Sequence, residues 1–255
     1  HLAKRVGSLL SYTVVPHAVI ACSQYVRNHL IERGAPPGKV KVVYPGIDLS
    51  HWPQGSTLRS ELKLAENDVV IACVAVMREQ KGHRTLLEAV EPLIRARPNL
   101  HLVLVGSGSP LIETLQGIVQ EKGLARRVHF LGTRQDVPQI LNGADIFALA
   151  TETEATGTVF AEAQASGLPV VGTRVGGVPE MMIENETGIL FDLRDVNGLT
   201  TALQKLLDNP ALRRQMGTAG RRFVYDAHRY DLSTMASLTE QAYLDWLGQR
   251  NWRSS

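Results

Sequence analysis

The sequence predicts an α/β protein built on a doubly wound parallel sheet, and three observations support this fold class. Short apolar runs alternate with longer amphipathic stretches along most of the 255 residues, as strands alternate with helices in such proteins. Some runs are apolar throughout, as in residues 69–76, which is typical of a parallel strand buried on both faces. Glycine and proline stand where one kind of stretch gives way to the other, as at Gly167 and Pro169.

The individual elements follow from the same pattern. The predicted strands are short and apolar, and they comprise residues 17–23, 39–44, 69–76, 102–105, 128–131, 146–150, 169–173 and 188–191. The predicted helices are amphipathic or rich in alanine, and they comprise residues 1–11, 24–33, 84–96, 111–122, 137–142, 158–167, 181–184, 195–207, 211–225 and 230–249. We expect Ser23, Asp136 and Thr158 to act as N-caps. Because most strands are separated by a helix, the connections are crossovers and the strands are parallel.

Composition and charge limit the classes of protein to consider. With 44% hydrophobic and 20% charged residues, the chain is expected to be soluble and globular. The net charge of +2 is too small to indicate a nucleic-acid partner. Cys22 and Cys73 lie in apolar runs and are expected to be buried thiols, and no histidine has the spacing of zinc ligands. No membrane span or signal peptide is expected, and the start at His1 suggests a piece of a longer protein.

Residues 151–180 contain the richest set of candidate binding groups. Gly157 lets the backbone approach a ligand, and the amides of Gly157, Thr158 and Val159 face outward from the start of a helix. Such a helix terminus is a ready site for an anion. Glu154 precedes the helix and Glu162 lies eight positions later, so two carboxylates can accept hydrogen bonds from hydroxyl groups. A sugar nucleotide carries both phosphates and hydroxyls, so it matches this combination.

Two cations follow the apolar run 69–76. Arg78 and Lys81 are placed at the carboxyl end of a strand, where ligands bind in open α/β sheets. Two cations in that place suit a diphosphate. A solvated basic turn is the alternative interpretation of the same residues.

A glycine-rich turn follows the run 102–105 and suggests a dinucleotide site at first sight. Gly106 and Gly108 match the start of the dinucleotide fingerprint, but Leu111 stands where the third glycine is needed. No acidic residue ends the next strand, residues 128–131, to hold a ribose hydroxyl. We therefore do not expect an NAD site.

Three motifs together resemble the retaining glycosyltransferases of family 4, a group 1 family with the GT-B fold. They are the Glu-x7-Glu spacing of Glu154 and Glu162, the run Glu-Ala-x-Ala-x-Gly-x-Pro-Val that starts at Glu162, and the run Gly-Gly-x-Pro-Glu that ends at Glu180. The resemblance covers nearly the whole chain. It implies the C-terminal, Rossmann-like half of a GT-B fold. Residues 1–44 would be the tail of an N-terminal domain and a linker, residues 45–229 the nucleotide-sugar-binding domain, and residues 230–255 a crossover helix.

The resemblance also implies roles for individual residues. Glu162 would accept hydrogen bonds from the ribose, and Glu154 would lie beside the donor sugar. The turn with Thr133 and Arg134 would face the nucleobase. Other implied donor contacts are Gly106, which would flank the donor, and Arg78, which would replace the family arginine whose usual position is held by Val76. Arg78, Lys81 and the amides at Thr158 and Val159 would stabilise the leaving diphosphate without a metal ion or any cofactor.

The implied reaction is transfer of a sugar from a nucleoside-diphosphate sugar to an acceptor hydroxyl with retention of configuration. The acceptor would be a glycan, a lipid-linked sugar or a small molecule, and it would dock on an N-terminal domain that this chain lacks. The expected location is the cytoplasm, with the inner membrane surface as a place of peripheral attachment. A non-catalytic nucleotide-sugar-binding module is the alternative. An NAD-linked oxidoreductase is a third hypothesis, which the missing third glycine and the missing acidic residue disfavour.

Overall fold

The computed structural model describes residues 18–226, 228 and 230–250, and its centre is a six-stranded parallel sheet. The strands in chain order are β1 Val19–Ala21, β2 Val40–Val42, β3 Val69–Val74, β4 Leu100–Val105, β5 Val128–Gly132, β6 Ile146–Leu149, β7 Val170–Thr173 and β8 Gly188–Phe191. The large sheet has the order β5-β4-β3-β6-β7-β8, and β1 and β2 pair in a separate parallel sheet. The predicted fold class is thereby confirmed.

Helices connect and cover the strands. The α-helices are α1 Gln24–Glu32, α2 Leu58–Glu61, α3 His83–Ala96, α4 Leu111–Glu121, α5 Val137–Asn142, α6 Thr158–Ala165, α7 Val196–Asp208, α8 Pro210–Asp226 and α9 Leu232–Arg250. Within the described residues, short 3-10 helices lie at Pro37–Lys39, Glu79–Lys81 and Val178–Met181. Helix α3 packs against α7, and α6 packs against α8.

The strand order reverses its direction between β3 and β6. From β3 the chain builds outward through β4 and β5, and from β6 it builds outward the other way through β7 and β8. Neighbouring strands at this point pair Ile71 with Ile146 and Ala72 with Phe147. Crossover connections that leave such a point in opposite directions diverge, and they leave a crevice at the carboxyl ends of the two strands. The topology therefore places a binding crevice after β3 and β6.

Burial on both faces stabilises the central strands. All four residues of β6 and all four of β7 are buried. Phe147 on β6 meets Phe160 on α6 edge to face, with ring centroids 5.2 Å apart, so the start of α6 is anchored in the core. Removing apolar surface from water is worth about 25 cal/mol per Å², which makes this core the main source of stability.

The N-terminal segment, residues 18–44, packs a smaller cluster of its own. Ala21, Leu30, Ala35 and Val40 form it between α1 and the two short strands. Helix α9 returns to this segment, because Asp245 forms an ion pair with Lys41 and the Lys41 ammonium lies 5.8 Å from the Trp246 ring centre. Helix α9 therefore lies against the N-terminal segment.

Several predictions about single elements need correction. The helix expected at residues 181–184 is wrong, because the 3-10 helix at Val178–Met181 ends there and Met182 is extended. Strand β3 ends at Val74 instead of residue 76, and Val76 is exposed beyond the strand. The predicted N-cap at Thr158 is also wrong, since Gly157 holds that position.

The other two predicted caps differ from each other. Ser23 caps α1, where its side chain accepts a hydrogen bond from the Val26 amide. Asp136 stands at the N-cap position of α5 but makes no capping hydrogen bond, because its carboxylate binds Arg134 instead. The helix predicted at residues 1–11 and the first residue of the strand predicted at 17–23 lie outside the described residues.

Candidate active site

An open cleft of about 440 Å³ lies at the carboxyl edge of the sheet, at the point between β3 and β6. Its walls come from the ends of these two strands and the turns after them, from the start of α6, from Cys22 of the N-terminal segment and from Pro45, which follows that segment. The lining residues are Cys22, Pro45, Val74, Ala75, Val76, Lys81, Leu149, Glu154, Ala155, Thr156, Gly157, Thr158 and Val159. Five residues proposed from the sequence are thus brought together in one cleft.

The start of α6 forms one wall of the cleft. Gly157 adopts a left-handed conformation with φ of 84°, and a side chain there would meet Phe160 and Glu154 at 3.0 and 3.2 Å. Among the described residues, no side chain or carbonyl accepts from the amides of Thr158 and Val159, which are the first two of the helix. Free amides and the helix dipole make this wall favourable for an anion.

Lys81 and Glu154 form an ion pair inside the cleft. The Lys81 ammonium lies 2.6 Å from Glu154 Oε2, and the two side chains are only 24% and 15% exposed. The turns that carry them are joined, since Gln80 O accepts hydrogen bonds from the Glu152 amide and the Thr151 hydroxyl. The predicted phosphate-binding cation and the predicted sugar-binding carboxylate therefore neutralise each other in this structure.

Glu162 lies on α6, one turn after the free amides. Its side chain is largely buried, and no described residue donates a hydrogen bond or forms an ion pair with it. Burial raises the pKa of the Glu162 carboxyl above its usual range. A buried carboxylate without a partner is unfavourable, so the site favours a ligand with hydroxyl donors there.

Arg78 is placed differently from Lys81. It is exposed, it is not part of the cleft wall, and its guanidinium has no ion pair or hydrogen bond within the described part of the chain. Its backbone precedes the 3-10 helix that carries Lys81. The structure therefore separates the two predicted cations into one that lines the cleft and one that is exposed outside the cleft wall.

The three remaining candidates follow β4 and β5, outside the cleft wall. Thr133 and Ser107 share a hydrogen bond of 2.9 Å between their hydroxyls. Arg134 binds the carboxylates of Glu61 and Asp136, and these bonds raise the pKa of its guanidinium further. Its charged end is therefore already occupied by protein groups.

Gly106 has a packing role that the sequence did not show. With φ of 129°, it brings the end of β4 so close to β3 that a side chain would lie 2.0 Å from the Ala75 carbonyl oxygen. Because Ala75 lines the cleft, Gly106 shapes the cleft from behind. The residue acts in this structure through close backbone approach.

Four residues near the cleft were not expected to take part. His83 is buried at the start of α3, neither ring nitrogen has a hydrogen-bond partner within the described residues, and burial lowers the pKa of His83 to about 4. The backbone groups of Arg78 and Ala75 face the ring and oppose that shift.

Ser23 and Thr156 bind the cleft loop to the N-terminal segment, and Glu180 binds α1. No local pattern marks these contacts, because the partners are more than 100 residues apart.

Across residues 18–226 and 230–250, no helix is both long enough and apolar enough to span a bilayer. In the same part of the chain, His, Cys, Asp and Glu side chains form no group of three or more suited to hold a metal ion.

Two family models match the sequence. The model described as "Glycosyl transferases group 1" matches residues 56–223, which include the cleft turns after β3 and β6. The model described as "Glycosyltransferase Family 4" matches residues 8–51. The first match alone covers more than half of the chain.

Curated relatives agree with the family models. The chain is 33% identical over 219 residues to the GDP-mannose-dependent alpha-(1-6)-phosphatidylinositol monomannoside mannosyltransferase of Mycolicibacterium smegmatis, a match that covers 80% of this chain and 56% of that protein. It is 31% identical over 231 residues to the N-acetyl-alpha-D-glucosaminyl L-malate synthase of Bacillus anthracis, covering 90% of this chain and 60% of that protein. The chain therefore spans a little over half the length of the curated relatives that it matches.

Solved structures share the fold. HepE from Anabaena in complex with UDP-glucose matches with a TM-score of 0.86 at 24% identity, covering 95% of this chain and 68% of that one. Sucrose-phosphate synthase from Thermosynechococcus elongatus matches with a TM-score of 0.84 at 26% identity, covering 98% and 63%. Together with the family models and the curated relatives, these matches establish that the chain belongs to the group 1 glycosyltransferases of the GT-B fold.

Proposed function

We propose that the chain carries the donor-binding half of a glycosyltransferase, which transfers a sugar from a nucleoside diphosphate to an acceptor hydroxyl with retention at the anomeric carbon. The observation that carries this proposal is the content of one cleft. Lys81 and the amides of Thr158 and Val159 suit phosphate, while Glu154 suits hydroxyl groups. Glu162 adds a second carboxylate on the same helix. Retention rests on the resemblance of the Glu154 and Glu162 motif to retaining enzymes.

Diphosphate binding would begin with the ion pair. An incoming phosphate competes with Glu154 for the Lys81 ammonium, and it also accepts hydrogen bonds from the free amides of α6. Glu154, once released, would accept hydrogen bonds from hydroxyls of the donor sugar. The ion pair thus keeps the site neutral before binding. When the donor enters, the Lys81 ammonium exchanges the Glu154 carboxylate for a phosphate.

The leaving group would be stabilised by the same groups. As the bond between the anomeric carbon and the diphosphate oxygen breaks, its electron pair stays with the diphosphate. The acceptor oxygen bonds to the anomeric carbon, and its proton passes to the departing phosphate. Lys81 and the α6 amides are aimed at the charge that develops, which is electrostatic stabilisation by preorganised groups. Glu154 would orient the sugar and shield positive charge at the anomeric carbon.

Glu162 would hold the ribose. The carboxylate lies on the same helix as the cleft amides and has no donor among the described residues, and burial raises its pKa. Two ribose hydroxyls would provide the missing donors and remove the cost of the buried charge. We propose that the nucleobase lies against the backbone of Thr133 and Arg134, since the Arg134 side chain is already bound by two carboxylates.

Arg78 and Gly106 would complete the contacts with the donor. To reach the phosphates, the exposed Arg78 side chain would have to turn towards the cleft. It is able to do so because its guanidinium binds no other group among the described residues. Gly106 would flank the donor through the turn that it shapes. No metal ion or other cofactor is part of the proposed reaction.

The names of the relatives support a proposal for the donor, the acceptor and the place of the reaction. One relative is named for GDP-mannose and a phosphatidylinositol acceptor, another for malate, and one neighbouring structure holds UDP-glucose. We propose a nucleoside-diphosphate hexose as donor and a glycan, lipid-linked sugar or small hydroxyl compound as acceptor. The acceptor would dock on an N-terminal domain beyond residues 1–44. The reaction would take place in the cytoplasm, at the inner membrane surface when the acceptor is a lipid.

A thermal-shift screen tests the proposal directly. The chain is heated with UDP-, GDP- and ADP-sugars and with NAD, each with and without EDTA. A ligand at 100 times its Kd stabilises the fold by about 2.7 kcal/mol, which corresponds to about 5–10 °C for a chain of this size. We expect one sugar nucleotide to produce such a shift in the presence of EDTA, and NAD to produce none.

The control variant is Lys81→Met, which keeps the length of the side chain and removes its charge. It should abolish most of the shift without lowering the melting temperature of the free chain by a similar amount. A shift with NAD alone, or no shift with any sugar nucleotide, would contradict the proposal.

A further inference from the structure

Glu180 ends the Gly-Gly-x-Pro-Glu run, and its carboxylate binds the start of α1. Oε1 accepts a hydrogen bond of 2.7 Å from the Tyr25 amide, and Oε2 accepts one of 2.8 Å from the Gln24 amide. Oε2 also accepts from the Tyr44 hydroxyl at 2.5 Å. Helix N-termini carry free amides and a partial positive charge, so a carboxylate placed there is favourable. Glu180 therefore fastens the N-terminal segment to the turn after β7.

The same segment contacts the loop that lines the cleft. The buried Ser23 hydroxyl donates to the Ala155 carbonyl at 2.5 Å, and the buried Thr156 hydroxyl donates to the Cys22 carbonyl at 3.0 Å. Ser23 also accepts from the Val26 amide as the N-cap of α1. The start of α1 is thus fixed on one side by Glu180 and on the other by the cleft loop.

The turn that carries Glu180 holds the opposite side of that loop. The Gly177 amide donates to the Glu154 carbonyl at 2.9 Å. Side chains at Gly176 and Gly177 would lie 1.9 Å from the Glu154 carbonyl oxygen and 2.3 Å from the Ala155 carbonyl oxygen. Residues 154–156 are therefore clamped between residues 176–177 and residues 22–23.

We infer that Glu180 is a positioning residue for the donor cleft, because it joins the two sides of this clamp. It does not line the cleft, so it would act through Ser23 and Thr156 on the loop that ends at the α6 amides. The buried Tyr230 hydroxyl donates to the Glu180 carbonyl at 2.7 Å, which fixes the backbone from which the carboxylate extends. The inference rests on the proposed function, because the cleft is taken to bind a nucleoside-diphosphate sugar.

Hydrogen exchange and nucleotide affinity test this inference together. The variants are Glu180→Ala, which removes the carboxylate, and Glu180→Gln, which leaves one acceptor oxygen. We expect faster exchange at the amides of Gln24 and Tyr25 in both. We also expect faster exchange at residues 154–158 and roughly 3- to 30-fold weaker binding of UDP or GDP, the range for residues that couple to a site without touching its ligand.

Two further variants keep the test decisive. Glu184→Gln is the control, because Glu184 lies nearby, is exposed and pairs only with Arg174 in the described part of the chain; it should change neither exchange nor affinity. Tyr44→Phe removes one donor to the carboxylate and should move both readouts slightly in the same direction, which maintains the test if Glu180→Ala fails to fold.

The results separate this inference from the proposed function. Faster exchange at Gln24 and Tyr25 with unchanged exchange at residues 154–158 would overturn the inference, since Glu180 would then be a cap for α1 and nothing more. Should the unmodified chain bind no nucleoside diphosphate, the proposed function fails, while the exchange rates still decide whether Glu180 controls the loop.

Discussion

The large sheet and the N-terminal segment are built from the same kinds of element, but they are stabilised in different ways. Strands β6 and β7 are buried throughout, whereas β1 and β2 each have only one buried residue in three. A two-stranded sheet is at best marginally stable alone in water. The cleft at β3 and β6 is therefore supported by a complete core, and the N-terminal segment depends on its contacts with the rest of the chain.

The contacts of the N-terminal segment with the rest of the chain include several polar ones. They include the bonds of Glu180 to α1, those of Ser23 and Thr156, and the ion pair of Lys41 with Asp245. Several large apolar residues of α9 remain exposed: Leu238, Tyr243, Leu244 and Leu247. The comparison indicates that apolar burial fixes the position of the cleft, while polar contacts from outside the sheet fix the conformation of its loop.

The largest effect is expected from a glycine in the turn after β3, which packs against the residue that follows β6. Gly82 is left-handed, with φ of 67°, and a side chain there would lie 1.8 Å from the Ala150 carbonyl oxygen. Gly82→Ala should lower the free energy of unfolding by about 2–5 kcal/mol, from the left-handed backbone and the overpacking together. Gly123 has the same φ within a few degrees and no atom nearby, so Gly123→Ala is the matched control.

Denaturant unfolding gives the free energy of unfolding of each glycine variant, and the difference between the two losses is the cost of the overpacking alone. Gly123→Ala should lose only about 1–2 kcal/mol, the cost of the left-handed backbone. Equal losses in the two variants would show that the backbone at Ala150 can move away from a side chain. The close contact between the Lys81 turn and the end of β6 would then not be needed for the fold.

The second prediction concerns the pH dependence of the core near the cleft. Burial lowers the pKa of His83 to about 4, so unfolding releases the ring to its ordinary value near 6.5. Between these values the unfolded chain binds more protons, and stability falls as the pH is lowered from about 6.5 to 4. The full loss is on the order of 3 kcal/mol.

His83→Gln should flatten this part of the stability curve, because glutamine does not titrate. The measurement is the free energy of unfolding of both proteins between pH 7 and 4. His101 and His129 also have lowered pKa values through burial and remain in both proteins, so they contribute the same background. Parallel curves for the two proteins would exclude His83 as the source.

The two regions also differ in how far the sequence predicts them. The strands of the large sheet were predicted because continuous apolar runs such as residues 69–76 have few other interpretations. The rule that ligands bind after parallel strands places Arg78 and Lys81 at the carboxyl edge of the sheet. In the structure Lys81 lines the cleft there and pairs with Glu154, whereas Arg78 does not line it. The helix at residues 181–184 failed because four residues carry no periodicity.

Side-chain partners could not be predicted in the same way. The Arg134 guanidinium binds Glu61, which is 73 positions away, and Glu180 binds amides about 155 positions away. No local pattern encodes such pairs, since they depend on how the whole chain folds. The position of Gly157 as N-cap in place of Thr158 was missed for a local reason, because the left-handed backbone places the turn one residue earlier.

The third prediction separates phosphate from nucleoside recognition in the cleft. Lys81→Met should weaken the binding of a nucleoside diphosphate by about 1.5–3 kcal/mol, the value of a hydrogen bond to a charged group. It should leave the binding of the bare nucleoside unchanged, as titration calorimetry with the two ligands can measure. Equal losses for both ligands would assign Lys81 to the structure of the turn.

The fourth prediction is that replacing Glu162 changes stability and nucleotide affinity in opposite directions. Because burial raises the pKa of Glu162, the folded state disfavours its charged form, and the protein loses stability as the pH rises from 4.5 through that raised pKa. Glu162→Gln should therefore be more stable than the parent at pH 7, yet bind nucleotide about 1.5–3 kcal/mol more weakly. A variant that is less stable at pH 7 would indicate that the carboxylate has a donor in the free protein.

The smallest effect is expected at the contact between α9 and the N-terminal segment. Lys41 and Asp245 form an ion pair, but each side chain is more than a third exposed, and such pairs are screened by water and salt. Asp245→Asn should therefore leave the unfolding midpoint nearly unchanged, and any difference should vanish at 1 M salt. If instead Asp245→Asn destabilises the chain more than Glu180→Gln does, the N-terminal segment is held mainly by α9, and Glu180 cannot be its principal attachment to the donor cleft.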